Sequence, residues 1–170
     1  MIANQVRDIL VPLDEYPTVY EDTTLHDAFA ALQASRETGR RYRHILVLNQ
    51  KEQLVGILGM HDLLHGLFPD YLRVGEHSRF EGATNDVANL ARIWGDTLVE
   101  QSRAAAKHTV QNVMYPPKDI IGPDDPITLA IYLMVSHRTS MLPVVEHGRV
   151  IGTCRIPDVF QETCGVIFHD

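Results

Sequence analysis

Apolar residues fall at Leu25, Ala28, Phe29 and Leu32, and again at Ile127, Ala130, Ile131 and Met134. The i, i+3, i+4, i+7 spacing puts each set on one face of a helix. Each helix opens after an Asp-containing turn, at Asp22 in one case and Asp124 in the other. An unbroken apolar run follows, 45–48 and 142–145, short enough to read as a buried strand. A polar turn, with Gly148 in the second instance, leads to another apolar strand, 54–58 and 150–156. Both patterns close with a helix opening near Asp62 or Asp158.

The chain therefore repeats itself. Asp22, Leu25 and Ala28 match Asp124, Ile127 and Ala130 at an offset of 102. The runs 45–48 and 142–145 match at 97, and Leu54-Val55-Gly56 matches Val150-Ile151-Gly152 at 96, as does Asp62 with Asp158. The drop from 102 to 97 predicts extra residues in the first copy, around 35–43. The expected fold class is α/β (α+β), with two pseudo-symmetric strand-helix-strand-strand-helix copies over 1–68 and 110–170. Neither copy is large enough to bury a good core alone, so the two should pack together. Residues 69–109 form an insert between them. Within it, 74–84 reads as a loop. A helix is expected over 85–107, capped by Asn85 and carrying Val87, Leu90, Ala91, Trp94 and Leu98 on one stripe. Trp94, the single tryptophan, packs either on the rest of the monomer or on a partner.

Composition narrows the function. At 22% charged and 45% hydrophobic residues the chain is not disordered. Lys plus Arg is 15 against 22 acidic residues, a formal charge of -7, which argues against a nucleic-acid partner. Two cysteines, Cys154 and Cys164, supply neither a disulfide framework nor a four-thiolate zinc site. With no basic cluster and apolar run at the start, and no apolar stretch of about 18 residues, a cytoplasmic protein without membrane insertion is expected. Phosphate-loop, dinucleotide and nucleophile-elbow motifs are absent, so no catalytic residues are assigned and an enzyme is not expected. His61 and His65 lie four apart on a helix, the spacing of a metal pair. No third ligand accompanies them, and exposed histidines with no metal are the expectation.

Several strings carry a family likeness: Val113-Met114, Pro123-Asp124-Asp125-Pro126-Ile127, Leu142-Pro143-Val144-Val145, Gly148-Arg149-Val150-Ile151-Gly152 and Pro157-Asp158-Val159-Phe160. In the first copy they are Val6-Arg7-Asp8-Ile9-Leu10, Asp22-Thr23-Thr24-Leu25, Leu54-Val55-Gly56-Ile57-Leu58 and Asp62-Leu63-Leu64. In this order, twice, they resemble the cystathionine-beta-synthase (CBS) domain in its tandem form, the Bateman module. The resemblance implies a regulatory module whose repeats pair about a pseudo-twofold axis. It implies clefts that bind an adenosine-containing ligand (AMP, ADP, ATP or S-adenosylmethionine), with no cofactor required. It further implies a homodimer and an unknown regulated protein.

The family's motif is Gly, two apolar residues, Thr or Ser, two residues, then Asp, the last accepting hydrogen bonds from the ribose. Here it reads Gly56-Ile57-Leu58-Gly59-Met60-His61-Asp62 and Gly152-Thr153-Cys154-Arg155-Ile156-Pro157-Asp158. Gly59 and Arg155 replace the hydroxyl. Arg155 could grip phosphate directly. Asp62 and Asp158 also stand where helices begin, so capping is their rival role. The resemblance places adenine near Ile120, Met141, Leu142 and Pro143 in the second copy, and near Thr18, His44 and Ile45 in the first. Arg40, Arg41, Arg43 and Arg138 are candidates for phosphates. The second-copy cleft is favoured, because Leu46 stands where the second copy has Pro143. The rival function is an interaction or dimerisation module with empty clefts.

Overall fold

A computed structural model describes residues 4–37, 39, 41–67, 92, 95 and 98–168. Arg40, Trp94 and the expected loop 74–84 lie outside the described residues. Of the helix expected over 85–107, residues 92, 95 and 98–105 (the last run is α3) are helical.

The first repeat holds β2 (Thr18–Tyr20), α1 (Leu25–Glu37), β3 (His44–Leu48), β4 (Leu54–Gly59) and α2 (Met60–Leu67). The second holds a single-residue bridge at Ile121, then α4 (Ile127–His137), β5 (Met141–Glu146), β6 (Arg149–Arg155) and α5 (Ile156–Phe168). In the first, β2 runs parallel to β3, which is antiparallel to β4. Ile121 pairs in parallel with Val144, and β5 is antiparallel to β6, so the second repeats the arrangement.

Helix faces follow the periodicity. α1 buries Leu25, Ala28 and Leu32, and α4 buries Ile127, Ala130 and Met134. The Thr24 hydroxyl accepts the Asp27 N–H (3.2 Å) and so caps α1. Arg138 ends α4 in the left-handed region (φ 53°), its N–H bonded to the Met134 carbonyl. The offset change is also explained. α1 has 13 residues and α4 has 11, and the connection to the next strand is 38–43 in one copy but 138–140 in the other. Two extra residues in the helix and three in the connection make the drop of five. His147 and Gly148 (φ 49° and 78°) form the tight turn between β5 and β6.

One feature is not visible in the periodicity: the repeats exchange their leading segments. A 3-10 turn, Val6–Asp8, and the short β1 (Val11–Pro12) precede the first repeat but pack on the second. There β1 runs antiparallel to β6, with Val11 opposite Thr153. The equivalent turn, Val110–Asn112, and Tyr115 precede the second repeat but join the first, with Tyr115 opposite Ile57. Two cores result. One gathers Leu25, Ile45, Leu46, Leu58 and Leu63 around the visiting Val110. The other gathers Ile127, Leu142, Val144 and Cys154 around the visiting Val6. Both valines are fully buried. Each repeat thus completes the other's core, the physical reason that the two are found as one folded unit.

Candidate functional site

β3 and β4 of one repeat and β5 and β6 of the other end at a groove with two lobes. Arg43, His44 and Ser140 border both lobes, so the two are adjacent. One lobe, about 440 Å³, is walled by Tyr16, Tyr42, Met141 and Arg155. The other, about 640 Å³, is walled by Arg36, Gly59, His61, Asp62 and Tyr115.

The larger lobe is organised by the start of α2. Gly59 is the residue before the helix and donates its N–H to Asp62 Oδ2 (2.7 Å). Asp62 therefore does cap its helix, by the reciprocal half of a capping box. Among the described residues, no group hydrogen-bonds its other oxygen. Around it stand Arg36, Arg43, His44 and His61, so two guanidinium groups rim a lobe with one carboxylate inside. Among the described residues neither Arg41 nor Arg43 is held in an ion pair. Burial holds the His44 imidazole below its ordinary range, with Asp62 opposing that shift and Arg43 adding to it. A histidine depressed on folding binds fewer protons than the unfolded chain, so its contribution to stability is lost as pH falls through about 6.5. His44→Gln should flatten the decline in melting temperature between about pH 7.5 and 5.5. An unchanged slope would show that other groups set it.

The smaller lobe is built differently. Arg155 donates from Nε to Asp158 Oδ2 (2.7 Å) and from Nη2 to Oδ1 (2.6 Å). Its guanidinium carbon lies 5.1 Å from the centroid of the Tyr42 ring, which leans on Tyr16 with centroids 4.7 Å apart. Hydrogen bonding to Asp158 raises the Arg155 pKa further, and burial raises that of Tyr16.

The expected site residues separate. Asp62 and His44 share the larger lobe, while Arg155, Met141 and His44 border the smaller one, with Asp158 behind Arg155. Ile45, Leu142 and Pro143 are fully buried in the sheets. Thr18 pairs with Leu46 and lines neither lobe. Ile120 borders a separate hollow with Gln53 and Lys118. Arg41 and Arg43 reach the groove, whereas Arg138 does not line it. Tyr16, Tyr42, Tyr115, Ser140 and Arg36 were not singled out by sequence. The one available signal was an aromatic residue inside the Arg41-Tyr42-Arg43 string.

The His61 and His65 rings stack at 6.5 Å, and no group of three metal-ligating side chains assembles among the described residues. Cys154 is buried, which pushes its thiol up to about 12, far from a nucleophile's range. Among the described residues no helix is long and apolar enough to cross a membrane.

Comparison with curated proteins gives no match. Solved structures do match. A CBS domain of a CBS domain containing membrane protein from Sphaerobacter thermophilus is 24% identical, with a TM-score of 0.66 over 92% of this chain and 86% of that one. CBSX2 in complex with AMP is 19% identical, with a TM-score of 0.64 over 97% of this chain and 99% of that one; CBSX2 is a CBS-pair protein from Arabidopsis thaliana. The cytosolic domain of the Mg2+ channel MgtE in complex with ATP is 20% identical, with a TM-score of 0.63 over 93% of this chain and 48% of that one. The family described as CBS domain matches residues 6–68 and 110–163, the two repeats with their exchanged leading segments included. The chain belongs to the CBS domain family and carries that domain as a tandem pair.

Proposed function

We propose that the protein is a regulatory module that binds an adenosine-containing ligand in the groove between its repeats, without turnover, and passes the change in shape to a partner protein. The observation that carries this reading is Asp62. Its carboxylate keeps one oxygen uncommitted inside a lobe rimmed by Arg36, Arg43 and two histidines. A carboxylate is acceptor-only and suits ribose hydroxyls, and the guanidinium groups suit phosphate. The AMP and ATP complexes of similar folds support the ligand class. The uncommitted oxygen of Asp62 supports the first-copy cleft as the ribose site, where the sequence favoured the second.

Calorimetric titration with AMP, ADP, ATP and S-adenosylmethionine tests it. At least one should bind saturably. Asp62→Ala should then weaken binding roughly 10- to 100-fold, the value of losing a charged hydrogen bond or two. No binding by any of the four, or full affinity in Asp62→Ala, would overturn the reading.

A second role has its own observation. Tyr132 and Val135 on α4, and Phe160 and Ile167 on α5, are 63 to 73% exposed, a large apolar face. Self-association as a homodimer through this face accounts for it. Sedimentation should give a dimer for the full chain and a monomer for Val135→Glu/Phe160→Glu.

A further inference from the structure

We propose that Arg155 is a resident plug of the cleft beside Asp158, so that the chain takes one adenosine ligand at the Asp62 cleft and none at its twin. The inference rests on the reading above for the class of ligand, and on separate residues for its content.

A ribose acceptor must offer its carboxylate to two hydroxyls. Asp158 keeps no oxygen uncommitted, since the guanidinium donates to both, at 2.7 and 2.6 Å, and stands on the side from which a ribose would approach. Such a planar two-point pair is the strongest arrangement these side chains make. It is also sheltered: the Arg155 and Asp158 side chains are 24% and 18% exposed, so water competes weakly for either. The same guanidinium lies over Tyr42, covering an aromatic surface on which a base could stack. One side chain therefore occupies the sugar position and a base position together.

The twin cleft shows what its absence leaves. At the offset of 96, Gly59 stands where Arg155 does, and Asp62 where Asp158 does. With no side chain at position 59, Asp62 receives only the Gly59 N–H among the described residues and keeps an oxygen uncommitted. A ligand entering the Asp158 cleft would have to break the fork and lift the guanidinium from its ring, then find room beside a displaced cation. The different states of the two aspartates thus trace to one position of the motif, Gly59 in one copy and Arg155 in the other. Arg155, nominated by the sequence as a phosphate contact, acts here as a selectivity residue.

The test counts sites. By calorimetry with the best-binding member of the nucleotide panel, the unaltered chain should take one ligand. Arg155→Ser, which restores a hydroxyl, should take two, and Arg155→Ser/Asp158→Ala one again. Two sites in the unaltered chain would overturn the plug, as would no gained site in a folded Arg155→Ser. If the unaltered chain binds nothing, the functional reading fails alone: a site appearing in Arg155→Ser still supports the plug, and none in that variant overturns it. Should Arg155→Ser not fold, the Arg155 Nε–H resonance of the unaltered protein decides. It should stay in place when the protein is saturated with ligand, and its loss or displacement would show that the pair opens on binding.

Discussion

A chain lacking residues 1–12 should lose the core of its second repeat, and the core of the first should suffer less. The reason is the exchange of leading segments. Val6 is fully buried among Ile127, Leu142 and Cys154, and burying a valine is worth about 2 kcal/mol. Val6 N–H bonds to the Asp125 carbonyl (3.0 Å), Arg7 N–H to that of Pro123 (2.9 Å), and Ile127 N–H to that of Asn4 (3.2 Å). At about 1 kcal/mol each these add about 3 kcal/mol. Arg7 also pairs with Asp124, but both are well exposed and the pair adds little. The loss of about 5 kcal/mol compares with a total stability of about 5–15 kcal/mol for a domain. The unpaired edge of β6 is a further liability. Hydrogen exchange should show α4 and β5 losing protection, with α1 and β3 retaining more of it. Equal protection of α4 with and without residues 1–12 would mean that the segment is no part of that core.

The same exchange marks the limit of what the sequence discloses. Helices α1 and α4 are legible because their buried residues recur with the helical period, a local property. The length difference before β3 is legible because offsets count residues. The partner of β1 is not legible: Val11–Pro12 has two residues and no period, and its register with Thr153 and Gly152 is set about 140 positions away. Val6 and Val110 look in sequence like any isolated valine. The candidate site divides likewise. Asp62 and Asp158 are found from the motif, because a carboxylate three residues into a helix recurs at one offset. Their different states are not found, because they depend on whether the residue three before has a side chain that turns back. Tyr16 and Tyr42 lie in connections without a period, yet both are buried in the first repeat's core, with Arg155 of the other repeat over the Tyr42 ring. Ile120, Leu142 and Pro143 follow the family string, yet β5 is covered on both faces here, so Leu142 and Pro143 are both buried, and Ile120 lies at another hollow.

The two motif glycines should respond unequally to one added methyl. A Cβ on Gly152 would lie deep inside contact distance of the Val11 carbonyl oxygen and 2.8 Å from a Leu10 methyl. The oxygen is backbone and cannot rotate away, so β1 must leave β6 or the sheet must distort. A Cβ on Gly56 would meet the Met114 sulfur at 2.5 Å, the far part of a flexible side chain. Gly152→Ala should therefore cost about 3 kcal/mol and Gly56→Ala about 1 kcal/mol or less. For a chain of this size that is a fall of about 6–12 °C in Tm against about 4 °C or less. Equal falls would remove the strand exchange as the reason for glycine at 152. Leu10→Ala separates the two neighbours of the new methyl. It removes the side-chain contact and leaves the carbonyl. If the backbone approach is what requires glycine, Gly152→Ala stays costly in the Leu10→Ala background; if its cost vanishes there, a single side chain, and not the crossing strand, imposed the glycine.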